Sequence, residues 1–303
     1  MYTQFKKSNP DSVIHRRTIL LISYYTRKNI YNQIVEYIMS DKKYIYFEPR
    51  GRLGNALFRY FAIVLILQYN PQFSYGGINL HRRIATSLGD HLYKDIITNN
   101  HFELSKINNN ISFGGYYQFQ EISNYKDQIK SFLHNNQEHI IYNYPYEEFK
   151  ISDIINKPAI LKTYNIVLHI RLEDFIENGE YITCDNIIRL LNNLTPIFFH
   201  NSTTAIVVNK PKSSFELNYI EQVKSWFSDN HISIIIESND ILTDFHIMKE
   251  ANKLICSNST VSWCAALLSD TIDICYMPDY KIRTDRTHQT LKYPIKNTIL
   301  YSI

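Results

Sequence analysis

Short apolar runs alternate with longer amphipathic segments through the C-terminal half of this 303-residue chain. The runs are rich in β-branched residues, and such continuous apolar segments are typical of strands buried on both faces of a sheet. They are Tyr164–Ile170, Thr203–Val208, Ile232–Glu237, Lys253–Cys256 and Ile272–Tyr276. The helix-length segments between them are Cys184–Asn193, Phe215–Phe227, Thr243–Ala251 and Thr260–Leu268. Because strands that alternate with helices build βαβ units, this half predicts a Rossmann-like parallel sheet.

The N-terminal half carries a weaker form of the same pattern. The run Lys42–Glu48 predicts a strand, and the segment after the turn 49–55 predicts a helix through about Gln68. Apolar residues such as Leu57 and Phe61 recur on one face of that helix. The half therefore also predicts α/β structure.

The length of the chain exceeds that of one ordinary domain. The stretch 135–160 has prolines and charges but little periodicity, so it marks a boundary. We expect an N-terminal Rossmann-like domain over residues 1–160, in which residues 1–40 are an amphipathic extension. A C-terminal Rossmann-like domain is expected over residues 161–285, followed by a tail, 286–303, that can cross back to the first domain.

Composition and charge narrow the class of protein. Hydrophobic residues make up 45% of the chain and charged residues 20%, so it can bury a sizeable core. The 32 Lys and Arg against 29 Asp and Glu leave a net charge of +3, which disfavours a nucleic-acid partner. Apolar stretches fall short of the roughly 18–20 residues that span a membrane. With no signal-peptide pattern and no cysteine framework, a cytoplasmic protein without a membrane span is expected.

The first motif with possible chemistry is Arg50-Gly51-Arg52-Leu53-Gly54-Asn55, between the predicted strand and helix. Glycines let backbone approach a ligand, and a helix N-terminus offers N–H groups to an anion. The motif is neither a dinucleotide-binding fingerprint nor a Walker A loop. A tight strand–helix turn explains it equally well when it is taken alone.

The second motif is His169-Ile170-Arg171-Leu172-Glu173-Asp174, at the end of the first C-terminal strand. Ligands of an open α/β sheet gather outside the carboxyl ends of its strands. An arginine there suits a diphosphate because its planar fork donates two parallel hydrogen bonds. The alternative is an ion pair of Arg171 with Glu173 or Asp174.

The third motif is the polar run Ser257-Asn258-Ser259-Thr260, between a predicted strand and a predicted helix. Helix capping explains one hydroxyl, and four polar residues in succession also suit phosphate oxygens. Asp244 begins the preceding helix, where an acid also favours the helix dipole.

Together these segments resemble the α-1,2-fucosyltransferases. The pattern G-R-L-G-N with A-L-F-R-Y is similar to that family's N-terminal G-x-L-G-N-Q-x-F-Q-Y signature, and residues 114–132 to its G-Y-x-Q-x-x-x-Y-F segment. Residues 169–174 resemble its H-x-R-R-x-D motif, and residues 244–248 and 257–263 its D-F-x-x-M and S-N-S-T-F-S-W-W segments. The five segments run in the family's order from about Tyr44 to Tyr276.

The resemblance implies a GT-B fold, in which two Rossmann-like domains face each other across a cleft. By the same resemblance Arg171 would hold the diphosphate of the donor, His169 would lie against the nucleotide, and Asp244 would bind the guanine edge. The implied donor-binding residues are Arg52, Gly54, Asn55, His169, Arg171, Asp244, Asn258, Ser259 and Thr260. The sequence departs from the family at Leu172, where the second arginine of the motif would stand, at Ala56 and at Cys264.

The function expected from this resemblance is an inverting transfer of fucose from GDP-fucose to a sugar hydroxyl of a glycan. No cofactor or metal is expected, and the chain contains no D-x-D pair for a metal-bound diphosphate. The catalytic candidates are Arg171 for the leaving group and His169, Asp174, Glu48 or Glu173 as base. Another GDP- or dTDP-deoxysugar, a protein acceptor, or a GT-B protein that binds without turnover are the alternatives. The acceptor and the oligomeric state stay open.

Overall fold

A computed structural model of the chain describes residues 43–78, 85–104, 107, 109–145, 147–279 and 291–303. The predicted extension at 1–40 lies outside the described residues. The structure confirms the predicted α/β class, because two sheets with parallel pairing follow each other along the chain. The limits of the predicted domains stay a prediction.

The N-terminal half builds a four-stranded sheet and a separate hairpin. Its elements are β1 (Lys43–Phe47), α1 (Leu53–Tyr69), β2 (Phe73–Ile78), β3 (Ala85–Leu88), α2 (Asp90–Thr98), β4 (Asn110–Phe113), α3 (Lys126–Asn135), β5 (Ile140–Tyr142), β6 (Glu148–Lys150) and α4 (Ile151–Ile155). The order of the sheet is β2-β1-β4-β3, and β4 lies parallel to both β1 and β3. Strands β5 and β6 form the antiparallel hairpin.

The C-terminal half builds a six-stranded sheet in which every pair of neighbours is parallel. Its elements are β7 (Ile166–Ile170), α5 (Asp174–Glu177), α6 (Cys184–Leu194), β8 (Thr204–Val208), α7 (Ser214–Asp229), β9 (Ile234–Glu237), α8 (Ile241–Lys249), β10 (Lys253–Ile255), α9 (Thr260–Leu268), β11 (Ile274–Pro278) and β12 (Thr298–Tyr301). The order β12-β11-β10-β7-β8-β9 is the strand order of the Rossmann fold, and it reverses between β7 and β10. This confirms the Rossmann-like prediction for this half.

Side chains of β7 alternate between two cores, as the two-residue period of a strand requires. Ile166, Leu168 and Ile170 pack with α6 and α7 on one face, whereas Val167 packs with α8 and α9 on the other. The sheet is thus buried on both faces, which explains why its strands are continuous apolar runs.

Helix α1 joins the two halves. Thirteen of its 17 residues are buried, so it is a core helix rather than a surface helix. One face of α1 packs on α9, where the ring centroids of Phe58 and Trp263 lie 4.7 Å apart. The core of the N-terminal half therefore continues into one face of the C-terminal sheet.

The end of the chain contacts both halves. The Gln120 side chain accepts from the backbone N–H groups of Lys292 and Tyr293, at 2.8 and 3.0 Å. The chain then adds β12, which the sequence does not predict, beside β11. Within the described part of the chain, every helix is too short or too polar to cross a bilayer.

Candidate functional site

The candidate site lies at the carboxyl ends of β7 and β10, where the strand order reverses and ligands of such sheets bind. His169 Nδ1 of β7 lies 3.0 Å from the Ser257 hydroxyl, which follows β10, and both residues are buried. Burial, with the nearby positive charge of Arg171, lowers the pKa of His169 to about 3. The imidazole is therefore neutral at ordinary pH.

Arg171 follows β7, and its side chain is only 7% exposed. One terminal nitrogen donates to Asp174 Oδ1 at 2.7 Å, and the other donates to Asn209 Oδ1 at 3.0 Å. Its buried Nε has no hydrogen-bond partner among the described residues. Burial, and then the charge of Arg52, lower the pKa of Arg171, which nevertheless stays a cation because the ordinary value is far above neutrality. Asp174 thus orients Arg171, as the ion-pair alternative predicts.

Three cations meet at Glu173, and we call Arg52, Arg171 and Lys212 the cation cluster. Glu173 Oε2 lies 2.5 Å from Arg52 and 3.4 Å from Arg171, and Oε1 lies 2.8 Å from Lys212. Burial alone would raise the pKa of Glu173, but the hydrogen bonds from Lys212 and Arg52 hold it below the ordinary value. Since Arg52 precedes α1 and Arg171 follows β7, the cluster joins the two halves of the protein.

The backbone of Glu173 is strained. Its φ of 49° lies in the left-handed region that favours glycine, and such a conformation costs about 1–3 kcal/mol in a residue with a side chain. The Glu173 N–H donates to Glu216 Oε1 at 3.2 Å. Contacts of both its backbone and its carboxylate therefore hold Glu173 in place.

Leu172, at the position of the family's second arginine, is 1% exposed in the core against α6 and α7. The position therefore contributes packing, and the further cations near Arg171 are Arg52 and Lys212. Sequence motifs did not identify Lys212 or Asn209. Both follow β8, the neighbour of β7, so the carboxyl-edge rule applied to every strand would have found them.

The starts of α1 and α9 meet next to this site. Asn55 Oδ1 accepts from Gln118 Nε2 at 2.7 Å and from the Thr260 hydroxyl at 3.2 Å. A Cβ on Gly54 would lie 2.5 Å from the backbone nitrogen of Val261, so only glycine permits this approach. The glycine motif is therefore explained by helix packing, which brings two positive helix ends together.

The polar run before α9 is not explained by capping of the helix. Ser259 is the N-cap residue, yet its side chain makes no capping hydrogen bond. The Asn258 amide donates to the Glu180 carbonyl, and its Oδ1 is buried without a partner among the described residues. Capping alone thus does not account for Asn258 or Ser259.

Asp244 lies in the first turn of α8, near the end of β9. Its Oδ1 accepts from the backbone and side-chain nitrogens of Asn239, at 3.1 and 3.0 Å. Burial raises the pKa of Asp244 to about 6 despite these hydrogen bonds. The carboxylate belongs to the same edge of the sheet as Arg171, two strands away.

Glu48 lies in the N-terminal half, where it borders a cavity of about 430 Å³. Its carboxylate accepts from Ser112 and Arg50, each at 3.1 Å. Arg59, the arginine of the A-L-F-R-Y segment, is fully buried beneath this region and donates to the carbonyls of Gly115 and Arg50. Besides Glu48, the described residues that line the cavity are Arg50, Ala85, Ser87, Gly89, Ser112, Gly114 and Gly115.

The predicted site residues thus fall into groups. Arg52, Arg171 and Asp174 meet in one ion network, and Asn55 contacts Thr260. The other predicted residues are His169 beside Ser257, Gly54 at the start of α1, Asn258 and Ser259 before α9, Asp244 on α8, and Glu48 at the N-terminal cavity.

Neither a protein-family model nor a curated protein sequence matches this chain. Two solved structures of the E. coli heptosyltransferase WaaC are distantly similar to it. The structure with ADP gives a TM-score of 0.45 at 7% identity and covers 86% of this chain and 93% of that chain. The structure with ADP-2-deoxy-2-fluoro heptose gives 0.38 at 8% identity, with 85% and 92% covered. With TM-scores below 0.5, these likenesses carry no argument about the reaction of this chain.

Proposed function

We propose that this chain is an inverting glycosyltransferase that transfers a sugar from a nucleoside-diphosphate sugar, with GDP-fucose as the first candidate, to a hydroxyl of a glycan. The observation that carries the proposal is the meeting of Arg52, Arg171 and Lys212 at the reversal point of a Rossmann sheet. Three cations there suit the diphosphate of a nucleotide donor. The five motif resemblances support fucose as the sugar and guanine as the base.

In this reaction the acceptor oxygen forms a bond to the anomeric carbon of the donor while the bond from that carbon to the phosphate oxygen breaks. The nucleoside diphosphate leaves with the electron pair, and its growing charge is stabilised by Arg171 and the start of α9. Groups fixed in advance around that charge stabilise the transition state more than the ground state, and losing one such donor typically costs about 10²–10³ in rate. This scheme needs no metal ion, because cationic side chains of the protein stabilise the charge of the leaving diphosphate.

The acceptor hydroxyl must lose a proton, so the reaction needs a base. Glu173 and Asp174 are held in the ion network around Arg171, and the lowered pKa of His169 makes it a weak base. Glu48 also pairs with a cation, but its partner Arg50 is 45% exposed and lies outside the cation cluster. Glu48 is a carboxylate beside a cavity lined by Ser87 and Ser112, which could bind sugar hydroxyls. We therefore propose Glu48 as the base.

Ligand-induced thermal shifts with GDP-fucose, GDP, UDP-sugars and dTDP-rhamnose test the donor, each with and without EDTA. A ligand at a hundredfold excess over its Kd adds about 2.7 kcal/mol to stability. We expect a shift with GDP-fucose and GDP that EDTA does not change and that Arg171→Lys diminishes. Arg189→Lys, an exposed arginine on α6, is the matched control. A shift with dTDP- or UDP-sugars instead would show that the donor is one of these sugars and not GDP-fucose. No shift with any of the ligands would contradict the proposal.

Release of GDP in the presence of candidate glycans and protein acceptors then tests turnover. We expect Glu48→Gln to bind GDP-fucose as the wild type does and to lose transfer. Binding without turnover across the acceptor panel would favour a nucleotide-binding protein that is not an enzyme.

A further inference from the structure

We infer that the carboxylate of Glu173 competes with the donor diphosphate for the cation cluster. We also infer that Lys212 is a diphosphate-binding residue, which pairs with Glu173 when no donor is bound. This inference rests on the proposed function and adds a gating group to its donor site.

Glu173 occupies the cation cluster as a diphosphate would. Its two oxygens take all three cations, with Arg52 and Arg171 on one oxygen and Lys212 on the other. Carboxylate and phosphate oxygens accept the same charge-assisted hydrogen bonds from arginine and lysine. The two anions would therefore compete for the same donors.

The charges around Glu173 indicate that a diphosphate can bind only in exchange for a carboxylate. The three cations already face two carboxylates, Glu173 and Asp174, and the buried Glu216 lies directly behind Glu173. An incoming diphosphate would bring further negative charge into a cluster that is already neutralised. Because the carboxylates already occupy the hydrogen-bond donors of these cations, the diphosphate can bind all three only when one carboxylate leaves.

Glu173 is the carboxylate that can leave. Asp174 holds Arg171 through a hydrogen bond within the same turn, at 2.7 Å, and so keeps the arginine oriented. Glu173 instead holds a left-handed backbone, whose cost in free energy its contacts with the cations and with Glu216 must offset. The cations it would free are accessible, because the side chain of Lys212 is 72% exposed and that of Arg52 is 51% exposed.

The test is the affinity for GDP and for inorganic pyrophosphate, measured by isothermal titration calorimetry on the full chain. Glu173→Gln keeps the shape of the side chain but removes its charge. We expect it to bind both ligands about tenfold more tightly than wild type, as expected when one charge-assisted competitor is removed. Glu177→Gln removes the same charge from an exposed position of α5 and should leave both affinities within about twofold of wild type.

Lys212→Met should weaken binding of both ligands in the wild-type and the Glu173→Gln backgrounds. The exposed Lys210→Met is its control. Unchanged binding in Lys212→Met would overturn the assignment of Lys212.

Equal or weaker binding by Glu173→Gln, with wild type still binding GDP, would overturn the competition and leave the proposed function standing, with Glu173 as a residue that positions Arg171. Binding by Glu173→Gln alone would support the competition in its strongest form. If neither protein bound GDP or pyrophosphate, the proposed function and this inference would fall together.

Discussion

Asp244 combines a buried carboxylate with a pKa of about 6, so its charge changes within an accessible pH range. If it accepts hydrogen bonds from the guanine edge, only the deprotonated form binds. The affinity for GDP-fucose should therefore fall as the pH drops through 6, by about tenfold at pH 5. GDP-fucose is the suitable ligand because its diester diphosphate does not titrate near pH 6. Calorimetric titrations at pH 7.5, 6 and 5 measure the effect.

Asp244→Asn is the control for that titration. It should bind GDP-fucose more weakly than wild type at pH 7.5 and show no further loss between pH 7.5 and 5. An equal pH dependence in the two proteins would exclude Asp244 as the titrating group, since the His169 pKa of about 3 lies below this range.

His169 links the candidate site to the stability of the fold. Its folded-state pKa of about 3 lies below the ordinary value of 6.5, so the unfolded chain binds the proton more readily. The stability that depends on neutral His169 is complete above pH 6.5 and is lost as the pH falls from 6.5 towards 3. The loss amounts to about 1.4 kcal/mol per pH unit within that window.

Urea denaturation at pH 7, 6 and 5 measures that dependence. His169→Gln should show a shallower loss of unfolding free energy on acidification than wild type. His91→Gln, at an exposed position of α2, should keep the wild-type slope. The same slope in all three proteins would contradict a buried neutral imidazole at position 169.

At the scale of elements, the contact between the starts of α1 and α9 depends on Gly54. A Cβ there would lie 2.5 Å from Val261 N and 2.7 Å from the Thr260 carbonyl carbon, and backbone cannot move aside as a side-chain tip can. Gly54→Ala should therefore destabilise the fold by about 1–3 kcal/mol or more. Gly89→Ala is the control, since a Cβ there meets no atom of the described residues within 4 Å. Equal denaturation midpoints for the two variants would contradict this packing.

The elements also show what the sequence could predict. Strands β7, β8 and β10 are continuous apolar runs, and they were predicted within two residues at each end because burial on both faces leaves that pattern. Strands β3 and β12 were missed because they are short and partly exposed at the edges of their sheets, where pairing with a neighbour decides the structure.

The residues of the candidate site also divide into those that the sequence could predict and those that it could not. The carboxyl-edge rule predicted Arg171 and the polar run after β10 together, because parallel strands end on one side. The pairs Arg52–Glu173 and Asn55–Thr260 join residues 121 and 205 positions apart, so no local pattern could indicate them. Lys212 belongs to no motif, and only its place after β8, at the carboxyl edge of the sheet, could have indicated it.

At the scale of the whole molecule, the two halves share one core. Apolar residues of β1, β4 and α1 form a continuous cluster with those of α8 and α9. Polar contacts add to this apolar contact. Lys126 Nζ donates a hydrogen bond to the Ser269 carbonyl at 2.9 Å, and Lys130 pairs with Asp270. We therefore expect the described residues from Tyr44 onward to unfold as one cooperative unit, although chains of this length often unfold in steps.

The two tryptophans of the chain report on the two cores. Trp263 lies in the shared core against Phe58 of the N-terminal half, and Trp226 lies in the C-terminal core against Phe227. In Trp226→Phe, fluorescence follows Trp263 alone, and in Trp263→Phe it follows Trp226 alone. Within each variant the urea midpoint by fluorescence should equal the midpoint by far-ultraviolet circular dichroism, because a shared core cannot open without exposing both halves. Comparison within a variant cancels the stability change that each substitution causes. A Trp263 transition at lower urea than the circular dichroism transition would show that the contact of α1 with α9 opens first, and that the halves can separate while the Rossmann sheet persists.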